Sequence, residues 1–280
     1  MLNLFHKKQK VGLNTYLRLM DVLLLCAGLG TRLRPLTNTI PKCLAPINGY
    51  PILYYWLDEL NNCNSVSRVF INTHYLNESV DDFMKAVNGL KKEIIILHEP
   101  EILGTGQTAK RILNEFQVEN LLVIHADNYS SVNIENLYQN LIDSKNSRIE
   151  SIICSFFTND PSSCGMLEVN SQNVMVNYNE KPLKYEGNKA NAAIFITSKK
   201  TLLDFFKIYP HSNDLCKDFL PHLIFKALVM PIEGYHIDIG KMENLISAKQ
   251  YKKKIKSLIL DSYWVENYLH KISKFDEISC

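Results

Sequence analysis

Hydrophobic residues along this chain follow two patterns that alternate, and the alternation predicts the fold. Continuous apolar runs of strand length occur at residues 22–27 and 121–126, and short stretches rich in β-forming residues occur at 68–72 and 93–97. Stretches with apolar positions at helical spacing occur at residues 51–62, 78–87, 104–116 and 131–141. Strands that alternate with helices predict an α/β protein with a Rossmann-like, mixed and mostly parallel sheet and helices on both of its faces.

The pattern changes after residue 150, where strands follow one another through short polar turns. These predicted strands cover residues 152–157, 166–169, 174–178 and 192–197. Helical spacing returns at residues 199–209 and 214–227. A last predicted strand at 234–238 precedes a helix that begins at Met242. The second half of the chain therefore adds antiparallel hairpins to the α/β pattern of the first half.

The sequence predicts one mixed domain, residues 20–248, because no Pro- or Ser-rich linker and no internal repeat divides it. Residues 1–19 form an N-terminal extension and residues 249–280 a C-terminal one. The N-terminal lysines and the apolar stretch behind them resemble a secretory signal at first sight. However, Arg18 and Asp21 interrupt the stretch and no small-residue cleavage site follows it. The stretch is also too short to span a bilayer, so we expect no membrane association.

Composition excludes some partners and indicates a compartment. The formal net charge of +2 gives no reason to expect nucleic acid or an anionic membrane as a partner. The seven cysteines are scattered, with no C-x-x-C pair and no zinc-site spacing. Such an odd, dispersed set is typical of reduced thiols, which predicts a cytoplasmic protein.

The first predicted strand leads directly into a loop that combines glycines with cations. This loop reads Gly-Leu-Gly-Thr-Arg-Leu-Arg-Pro-Leu-Thr from Gly28, and Pro-Lys-Cys-Leu follows at residues 41–44. Backbone N–H groups, Arg32 and Lys42 could together bind a chain of phosphates. It is not a P-loop, because no Gly-Lys-Ser/Thr follows. It matches only two glycines of the dinucleotide fingerprint, since Leu33 occupies the third position.

Two aspartates lie at the ends of predicted strands. Asp127 comes directly after the strand at 121–126, and Asp238 ends the strand at 234–238. Ligands gather at the carboxyl ends of parallel strands, so both acids could face the glycine loop and bind Mg²⁺ together with substrate phosphates. Taken alone, Asp127 could equally be the N-cap of the helix at 131–141.

The whole string G-x-G-T-R-L-x-P-L-T, followed by P-K-x-L, resembles the signature of the sugar-1-phosphate nucleotidylyltransferases. The resemblance implies transfer of a nucleotidyl group from an NTP to a sugar 1-phosphate, with pyrophosphate released and Mg²⁺ required. It places Arg32 at the triphosphate and Lys42 between the α-phosphate and the sugar phosphate. It also implies a magnesium site at Asp127 and Asp238, although Lys241-Met242 replaces the usual Thr-Pro. The nucleotide-binding residues that it implies here are Leu25, Ala27, Gly28, Gly30 and Thr31.

Three further segments resemble family motifs in the same order, and the matches run from residue 22 to about 248. The Leu-Gly-Thr-Gly-Gln run at 103–107 resembles the loop that reads the nucleobase, with Gly104, Thr105 and Gln107 as nucleotide-binding residues. The Asn-Glu-Lys-Pro run at 179–182 resembles the sugar-phosphate element, and the strand after it resembles the family's sugar-contacting strand. The sugar-phosphate-binding residues implied in this way are Gly165, Glu180, Lys181 and Asn191.

The resemblance leaves base and sugar open. The overall pattern is similar to enzymes that use GTP with mannose 1-phosphate or heptose 1-phosphate, and we favour these slightly. Gln107 favours the other branch, because the enzymes that use dTTP or UTP with glucose 1-phosphate have glutamine at this position of the base loop. Either product would serve synthesis of surface polysaccharides or glycoconjugates.

Two other classes of protein remain as alternatives to the nucleotidylyltransferase. A metal-dependent glycosyltransferase would want a D-x-D pair, which residues 127–129 lack. A non-catalytic sugar-nucleotide-binding module would tend to lose the lysines and acids that are all present here.

The C-terminal extension combines a basic run with an apolar pattern. The lysine-rich residues 249–256 are typical of a solvated helix face. From Leu258 onward, apolar residues recur at spacings of three and four, which predicts a helix with one buried face. That face could pack on its own domain or on a second copy in a homo-oligomer, and the pattern favours neither.

Overall fold

The computed structural model describes residues 19–144 and 147–276, which form a nine-stranded sheet with helices on both faces and three small two-stranded ribbons. The predicted N-terminal extension lies outside the described residues except for Leu19. The strands are β1 Met20–Leu25, β2 Pro46–Ile47, β3 Tyr50–Pro51, β4 Val66–Thr73, β5 Val87–Asn88, β6 Glu93–His98, β7 Asn120–His125, β8 Asn128–Ser130, β9 Ser151–Phe157, β10 Gly165–Val169, β11 Met175–Glu180, β12 Lys189–Ser198, β13 Ala227–Pro231, β14 His236–Asp238 and β15 Ile259–Leu260. The helices are α1 Ile52–Asn61, α2 Asn77–Ala86, α3 Thr105–Glu115, α4 Ile134–Asp143, α5 Lys199–Ile208, α6 Leu220–His222, α7 Met242–Ala248 and α8 Ser262–Asp276.

The sheet is parallel around its first strand and mixed beyond β7, where most pairs are antiparallel and β9 and β13 are parallel. β1 lies between β4 and β7, both parallel to it, and β6 adds to β4. β12 pairs antiparallel with β7, β9 and β10. β11 then pairs with β10, and β13 pairs with β9. This mixed sheet confirms the predicted fold class. The carboxyl ends of β1, β4, β6 and β7 therefore meet at one edge, where the candidate motifs begin.

The sheet is buried on both faces, because successive residues of a strand point to opposite sides. In β1, Val22 and Leu24 belong to one hydrophobic cluster and Leu23 belongs to another, all fully buried. The first cluster contains apolar residues of α1, α2, α4, α7 and α8. The second contains residues of α3, α5 and α6. Helices on both faces leave the strand ends as the exposed edge of the sheet.

The predicted helix at 214–227 is wrong in its second half. One turn of π-helix at Leu215–Phe219 and the short α6 precede β13, which pairs in parallel with β9. Residues 223–226 form turns, so the predicted helix overlaps β13 only at Ala227, and no strand was predicted at 227–231. The apolar run of β13 is a strand because it pairs with the distant β9.

The N-cap alternative for Asp127 is also wrong. The helix α4 begins at Ile134, and its N-cap is Asn133, whose side chain accepts a hydrogen bond from the backbone N–H of Asn136. Asp127 instead precedes β8, which pairs antiparallel with β14 and so with Asp238. The two predicted metal-binding acids therefore belong to one small ribbon.

The tail packs on its own domain. The lysine-rich stretch is not helical, since residues 250–258 contain neither helix nor strand. Both carboxylate oxygens of Asp58 are used to bind it, accepting hydrogen bonds from the backbone N–H groups of Lys256, Ser257 and Leu258 at 2.8, 2.9 and 3.0 Å. In α8, the Tyr268 hydroxyl donates to the Leu44 carbonyl at 2.6 Å. Within the described part of the chain, no helix is long and apolar enough to cross a membrane.

Candidate active site

The glycine loop after β1 folds back over the start of the P-K-x-L segment. Gly30 has a left-handed backbone (φ 63°), and a Cβ there would lie 2.9 Å from Thr37 Cγ2 and 3.1 Å from Lys42 Cβ. The Thr37 hydroxyl donates to the Gly30 carbonyl at 2.7 Å, which closes the loop. Only glycine combines this backbone with such close approach. The loop is thereby shaped around Lys42.

Lys42 contacts both of the predicted metal-binding acids. Its ammonium group donates to Asp127 Oδ2 in a short ion pair and to Asp238 Oδ1 at 3.4 Å. The lysine is only 9% exposed, so these contacts are poorly screened by water. Burial works to raise the pKa of Asp127, but the Lys42 charge and that of His125 hold it below its usual value. Asp127 is therefore ionised at neutral pH.

The ribbon of β8 and β14 fixes the separation of the two acids. Asp238 pairs with Asn128, and the backbone N–H of Ile239 donates to the Asp127 carbonyl at 3.0 Å. Asp238 Oδ1 also accepts the backbone N–H of Gly240 at 2.7 Å, which orients its carboxylate. Asp238 thus has an oriented carboxylate with Lys241-Met242 in the turn that follows it.

Arg32 joins the same cluster from the glycine loop. A Cβ on Gly240 would lie 2.7 Å from Arg32 Nη2 and 3.0 Å from Asp238 Oδ1. Glycine at this position is thus what lets the guanidinium approach the turn after β14. The site therefore presents two cations, Arg32 and Lys42, beside two carboxylates, an arrangement suited to substrates that carry phosphates and a metal ion.

The donor set fits magnesium. Both carboxylates reach one ammonium group, so their oxygens converge on a single small region. Over residues 19–144 and 147–276, no group of three or more His, Cys, Asp or Glu side chains is arranged to hold a metal ion. Mg²⁺ commonly takes one or two carboxylates and completes its shell with water and substrate phosphate oxygens, so two acids suffice.

A pocket of about 200 Å³ opens beside this cluster. It brings together seven of the residues that the sequence predicts for the site, namely Arg32, Asp127, Gly165, Glu180, Lys181, Asn191 and Asp238. Phe156, His125 and His236 also line it and were not predicted. Because the predicted sugar-phosphate residues and the predicted metal-binding acids line one cavity, a ligand there could contact both sets.

A β-bulge places Asn191 in the pocket. The pairing of β12 with β9 shifts register between Asn191 and Phe195, and Ala193 has a left-handed backbone (φ 52°). The Asn191 side-chain oxygen accepts the Ala193 N–H at 2.9 Å and stabilises the bulge. Bulges of this kind re-aim side chains next to active sites.

Lys181 lies at the mouth of the pocket. Its backbone is left-handed (φ 48°), and its N–H donates to the Cys164 carbonyl at 3.0 Å. The side chain is largely exposed and lies 3.6 Å from Glu180 Oε1. An exposed lysine on a fixed backbone can reach an anionic ligand without first leaving a buried partner.

The predicted base loop is bound to the segment at 210–215. Gly104 has a left-handed backbone (φ 82°), and a Cβ there would lie 2.5 Å from the Asn213 carbonyl oxygen. Thr105 Oγ1 accepts the backbone N–H of Leu215 at 2.8 Å. Gln107 Nε2 donates to the Ser212 carbonyl at 2.7 Å. Gly104 therefore permits a close approach to the protein's own backbone at Asn213.

Sequence reasoning missed Glu99, a buried carboxylate at the edge where β1, β4 and β6 end. It is 3% exposed and accepts hydrogen bonds from Asn72 Nδ2 at 3.0 Å and Thr108 Oγ1 at 2.6 Å. Asn72 Oδ1 in turn accepts the backbone N–H of Cys26 at 2.8 Å. The chain of bonds connects the end of β1 to the start of α3. Its only signal in the sequence is an acid directly after an apolar strand.

The remaining predicted nucleotide-binding residues lie along β1 and its loop. Leu25 pairs with His125 of β7 and Asn72 of β4, at the strand ends. Ala27 is buried, whereas Thr31 is exposed at the start of a 3₁₀ turn. A Cβ on Gly28 would meet no heavy atom of the described residues within 4 Å. A steric need for glycine is therefore seen at Gly30 and not at Gly28.

Comparison with known proteins identifies the family. The chain belongs to the nucleotidyl transferase family, whose model matches residues 21–254. The family resemblance found in the sequence is thereby confirmed. The match reaches slightly beyond the motifs, into the lysine-rich part of the tail.

Individual relatives differ in name and length. D-glycero-alpha-D-manno-heptose 1-phosphate guanylyltransferase of Campylobacter jejuni subsp. jejuni serotype O:2 is 30% identical over 230 residues, which cover 80% of this chain and 96% of the relative. Bifunctional protein GlmU of Methanocaldococcus jannaschii is 29% identical over 236 residues, which cover 83% of this chain and 54% of GlmU. The chain thus spans about half the length of the curated GlmU relatives. 

A solved structure from Bacillus anthracis supports the fold. It is a provisionally assigned glucose-1-phosphate thymidylyltransferase in complex with sucrose, and it superposes with a TM-score of 0.72. The alignment covers 84% of this chain and 98% of that one at 18% identity. At that identity the likeness concerns the fold alone.

Proposed function

We propose that this chain transfers a nucleotidyl group from an NTP to a sugar 1-phosphate, giving an NDP-sugar and pyrophosphate. The observation that carries the proposal is the buried Lys42 ammonium, which contacts Asp127 and Asp238 at the edge where the glycine loop ends. Family membership supports the reaction class. The residues that would bind the sugar phosphate line the adjoining pocket.

The reaction needs charge neutralisation more than proton transfer. A sugar-phosphate oxygen, already ionised at neutral pH, forms a bond to the α-phosphorus of the NTP. The bond from that phosphorus to the bridging oxygen breaks, and the electron pair leaves with pyrophosphate. Lys42 would hold the α-phosphate against the attacking phosphate, and Arg32 would bind the departing part. Fixed cations of this kind stabilise charge where it develops in the transition state.

Asp127 and Asp238 would hold Mg²⁺. Bound there, Mg²⁺ would neutralise and orient phosphate oxygens of the substrates. Lys42 would then exchange its carboxylate contacts for phosphate contacts. The two acids need not move, because the ribbon of β8 and β14 already fixes their spacing.

The nucleobase that we favour is guanine. Gln107 was the residue that pointed to dTTP or UTP with glucose 1-phosphate. Its side-chain N–H groups are directed to the carbonyls of Ser212 and Pro210, at 2.7 and 3.3 Å. This contact weakens the thymidylyl argument. The Campylobacter relative, which the chain matches over nearly its whole length, is named for a guanylyl transfer to a heptose phosphate. GTP with heptose or mannose 1-phosphate is therefore the first pair to test.

We further propose that the enzyme is located in the cytoplasm. All six cysteines that the structure describes are free thiols, as expected in a reducing compartment. Residues 20–248 would form the catalytic domain and the tail a structural support. NTP and sugar 1-phosphate are the expected partners, and a homo-oligomer is compatible with the tail packing on its own subunit.

Pyrophosphate release tests the function directly. The purified protein is incubated with Mg²⁺ and each combination of GTP, dTTP and UTP with mannose, heptose and glucose 1-phosphates. We expect release only when both substrates are present, with GTP preferred. Transfer of the sugar from an NDP-sugar to an acceptor, with release of the nucleoside diphosphate, would indicate a glycosyltransferase instead. Binding of an NDP-sugar without turnover of any pair would identify a non-catalytic module.

The two lysines should differ in which kinetic parameter they change. Lys42→Ala should lower kcat by roughly 10²- to 10³-fold, because its charge is needed most in the transition state. Lys181→Ala should mainly raise the KM for the sugar 1-phosphate, since its exposed side chain lies at the pocket mouth. Lys184→Ala, an exposed lysine outside the pocket, serves as the control. A change confined to the NTP KM in Lys181→Ala would contradict the assignment.

A further inference from the structure

The hydroxyl of Tyr178 lies behind the sugar-phosphate pocket, where no motif predicts a functional residue. Tyr178 and Glu180 are two residues apart on β11, so their side chains share one face of the sheet. The hydroxyl donates to Glu180 Oε2 at 2.6 Å. Tyr178 is 6% exposed, whereas Glu180 lines the pocket. One buried donor therefore fixes one oxygen of the carboxylate that faces the ligand.

Gly165 is what makes room for this contact. Gly165 pairs directly with Glu180 across the β10–β11 ladder. A Cβ on Gly165 would lie 2.1 Å from the Tyr178 hydroxyl and 2.7 Å from Glu180 Oε2. Any larger residue would have to displace the hydrogen-bonded pair. The glycine therefore serves the Tyr178–Glu180 contact, whatever else it does for the sugar.

The contact extends to the other side of the pocket. Asn191 Nδ2 donates to the Tyr178 hydroxyl at 3.5 Å and lies 3.6 Å from Cys216 Sγ. Cys216 Sγ lies 3.8 Å from His125 Nε2, at the end of β7 and two residues before Asp127. Burial, with Cys216 and Glu180 nearby, raises the pKa of Tyr178, so the hydroxyl keeps its proton and remains a donor.

We propose that Tyr178 is a positioning residue for the sugar 1-phosphate, holding Glu180 and Asn191 so that both can bind sugar hydroxyls. The proposal rests on the function proposed above and deepens it. Glu180 then has one oxygen, Oε2, bonded to Tyr178, and the other, Oε1, lies 3.6 Å from Lys181 Nζ, so that both Glu180 and Lys181 can bind the ligand in the pocket that they line. Because the hydroxyl is buried behind Glu180 and Asn191, it contributes to sugar affinity without touching the nucleotide.

Tyr178→Phe tests this role with a matched control. Kinetics are measured with GTP and whichever of mannose, heptose or glucose 1-phosphate the wild type turns over fastest. We expect the sugar-phosphate KM to rise roughly 10-fold, the factor that one lost hydrogen bond to a charged acceptor carries, with the GTP KM unchanged. Tyr185→Phe is the control, since its hydroxyl donates to Glu168 at 3.3 Å outside the pocket. It should change neither KM.

The substitution Gly165→Ala separates positioning from simple loss of packing. Alone it should raise the sugar-phosphate KM, because its methyl group displaces the Tyr178 hydroxyl. In a Tyr178→Phe background the same substitution should raise the KM by a smaller factor, since the 2.1 Å clash with the hydroxyl is gone and the hydrogen bond is already lost, while the 2.7 Å contacts with the ring carbon Cζ and with Glu180 Oε2 remain. Melting temperatures of all variants are measured alongside. The proposal would be overturned if the effects of the two substitutions on the sugar-phosphate KM were additive. It would also be overturned if the KM values for the sugar 1-phosphate and for GTP rose equally.

Failure of the inference and failure of the proposed function give different results. Wild-type turnover with an unchanged sugar KM in Tyr178→Phe rejects the positioning role alone. A wild type that releases pyrophosphate from none of the pairs rejects the proposed function and this role with it.

Discussion

Asp127→Asn and Asp238→Asn are each expected to lower kcat by roughly 10²- to 10³-fold, the loss typical of removing one preorganised charge-stabilising group. Asparagine keeps the size of the side chain but removes the negative charge that would hold Mg²⁺. Both acids contact Lys42 now, so each substitution also leaves that ammonium with one carboxylate fewer. Pyrophosphate release at saturating substrates, titrated with Mg²⁺, is the measurement.

The control for these variants is an acid near the pocket that does not contact Lys42. Asp160 is half exposed and pairs with Lys241 at 3.7 Å, so Asp160→Asn should retain nearly full activity. Higher Mg²⁺ should partly restore Asp127→Asn or Asp238→Asn if the loss lies in metal binding. Normal activity of both variants at a metal concentration that the wild type still requires would contradict the assignment.

Asp58→Ala is expected to lower the free energy of unfolding by about 3 kcal/mol, because three backbone N–H groups lose a charged acceptor. These N–H groups belong to Lys256, Ser257 and Leu258, and Asp58 is 3% exposed. Denaturant titration measures the change. Asp82→Asn is the control, since Asp82 lies exposed on α2 and pairs with Lys85 at 3.0 Å. Its substitution should leave stability nearly unchanged.

Truncation after Lys256 extends the same test. It removes Leu258, Tyr268 and Ile272, which are at most 8% exposed and belong to the first hydrophobic cluster. We expect a lower melting temperature with an unchanged preference for base and sugar, because these residues lie outside the candidate site. A stable truncated protein that switched its preferred sugar would show that the tail helps to build the site.

Local patterns in the sequence were sufficient for the first half of the fold. The apolar run of β1 is buried on both sides, so its composition alone identifies it as an interior strand. Loops that follow such strands end at one edge, which is why Arg32 and Asp127 could be grouped before their contacts were known. Asp238 joins them for a different reason, because β14 pairs with β8 in a separate ribbon. The structure brings these three residues to one pocket.

The features that the sequence analysis missed depend on contacts between residues that are far apart in the chain. β13 is a strand because β9 is available to pair with it, more than 70 residues earlier. The tail is extended at Lys256–Leu258 because Asp58 binds its backbone. Glu99 and Tyr178 belong to no sequence motif. Their roles follow only from the side chains that they contact in the folded protein. Pattern and propensity describe neighbours in sequence, and these residues act on neighbours in space.

The segment at 210–216 has a thermodynamic consequence. The Ser212 carbonyl accepts from Gln107 and the Leu215 N–H donates to Thr105, both in the proposed base loop. Asp214 and Cys216 of the same segment line the sugar-phosphate pocket. One short piece of backbone is thus common to both subsites. If nucleotide binding orders this segment, the sugar phosphate must bind more tightly afterwards, and by linkage the nucleotide gains affinity from the sugar phosphate by the same factor. Selectivity for base and sugar would then be joint properties, so that exchanging one substrate changes the apparent affinity for the other.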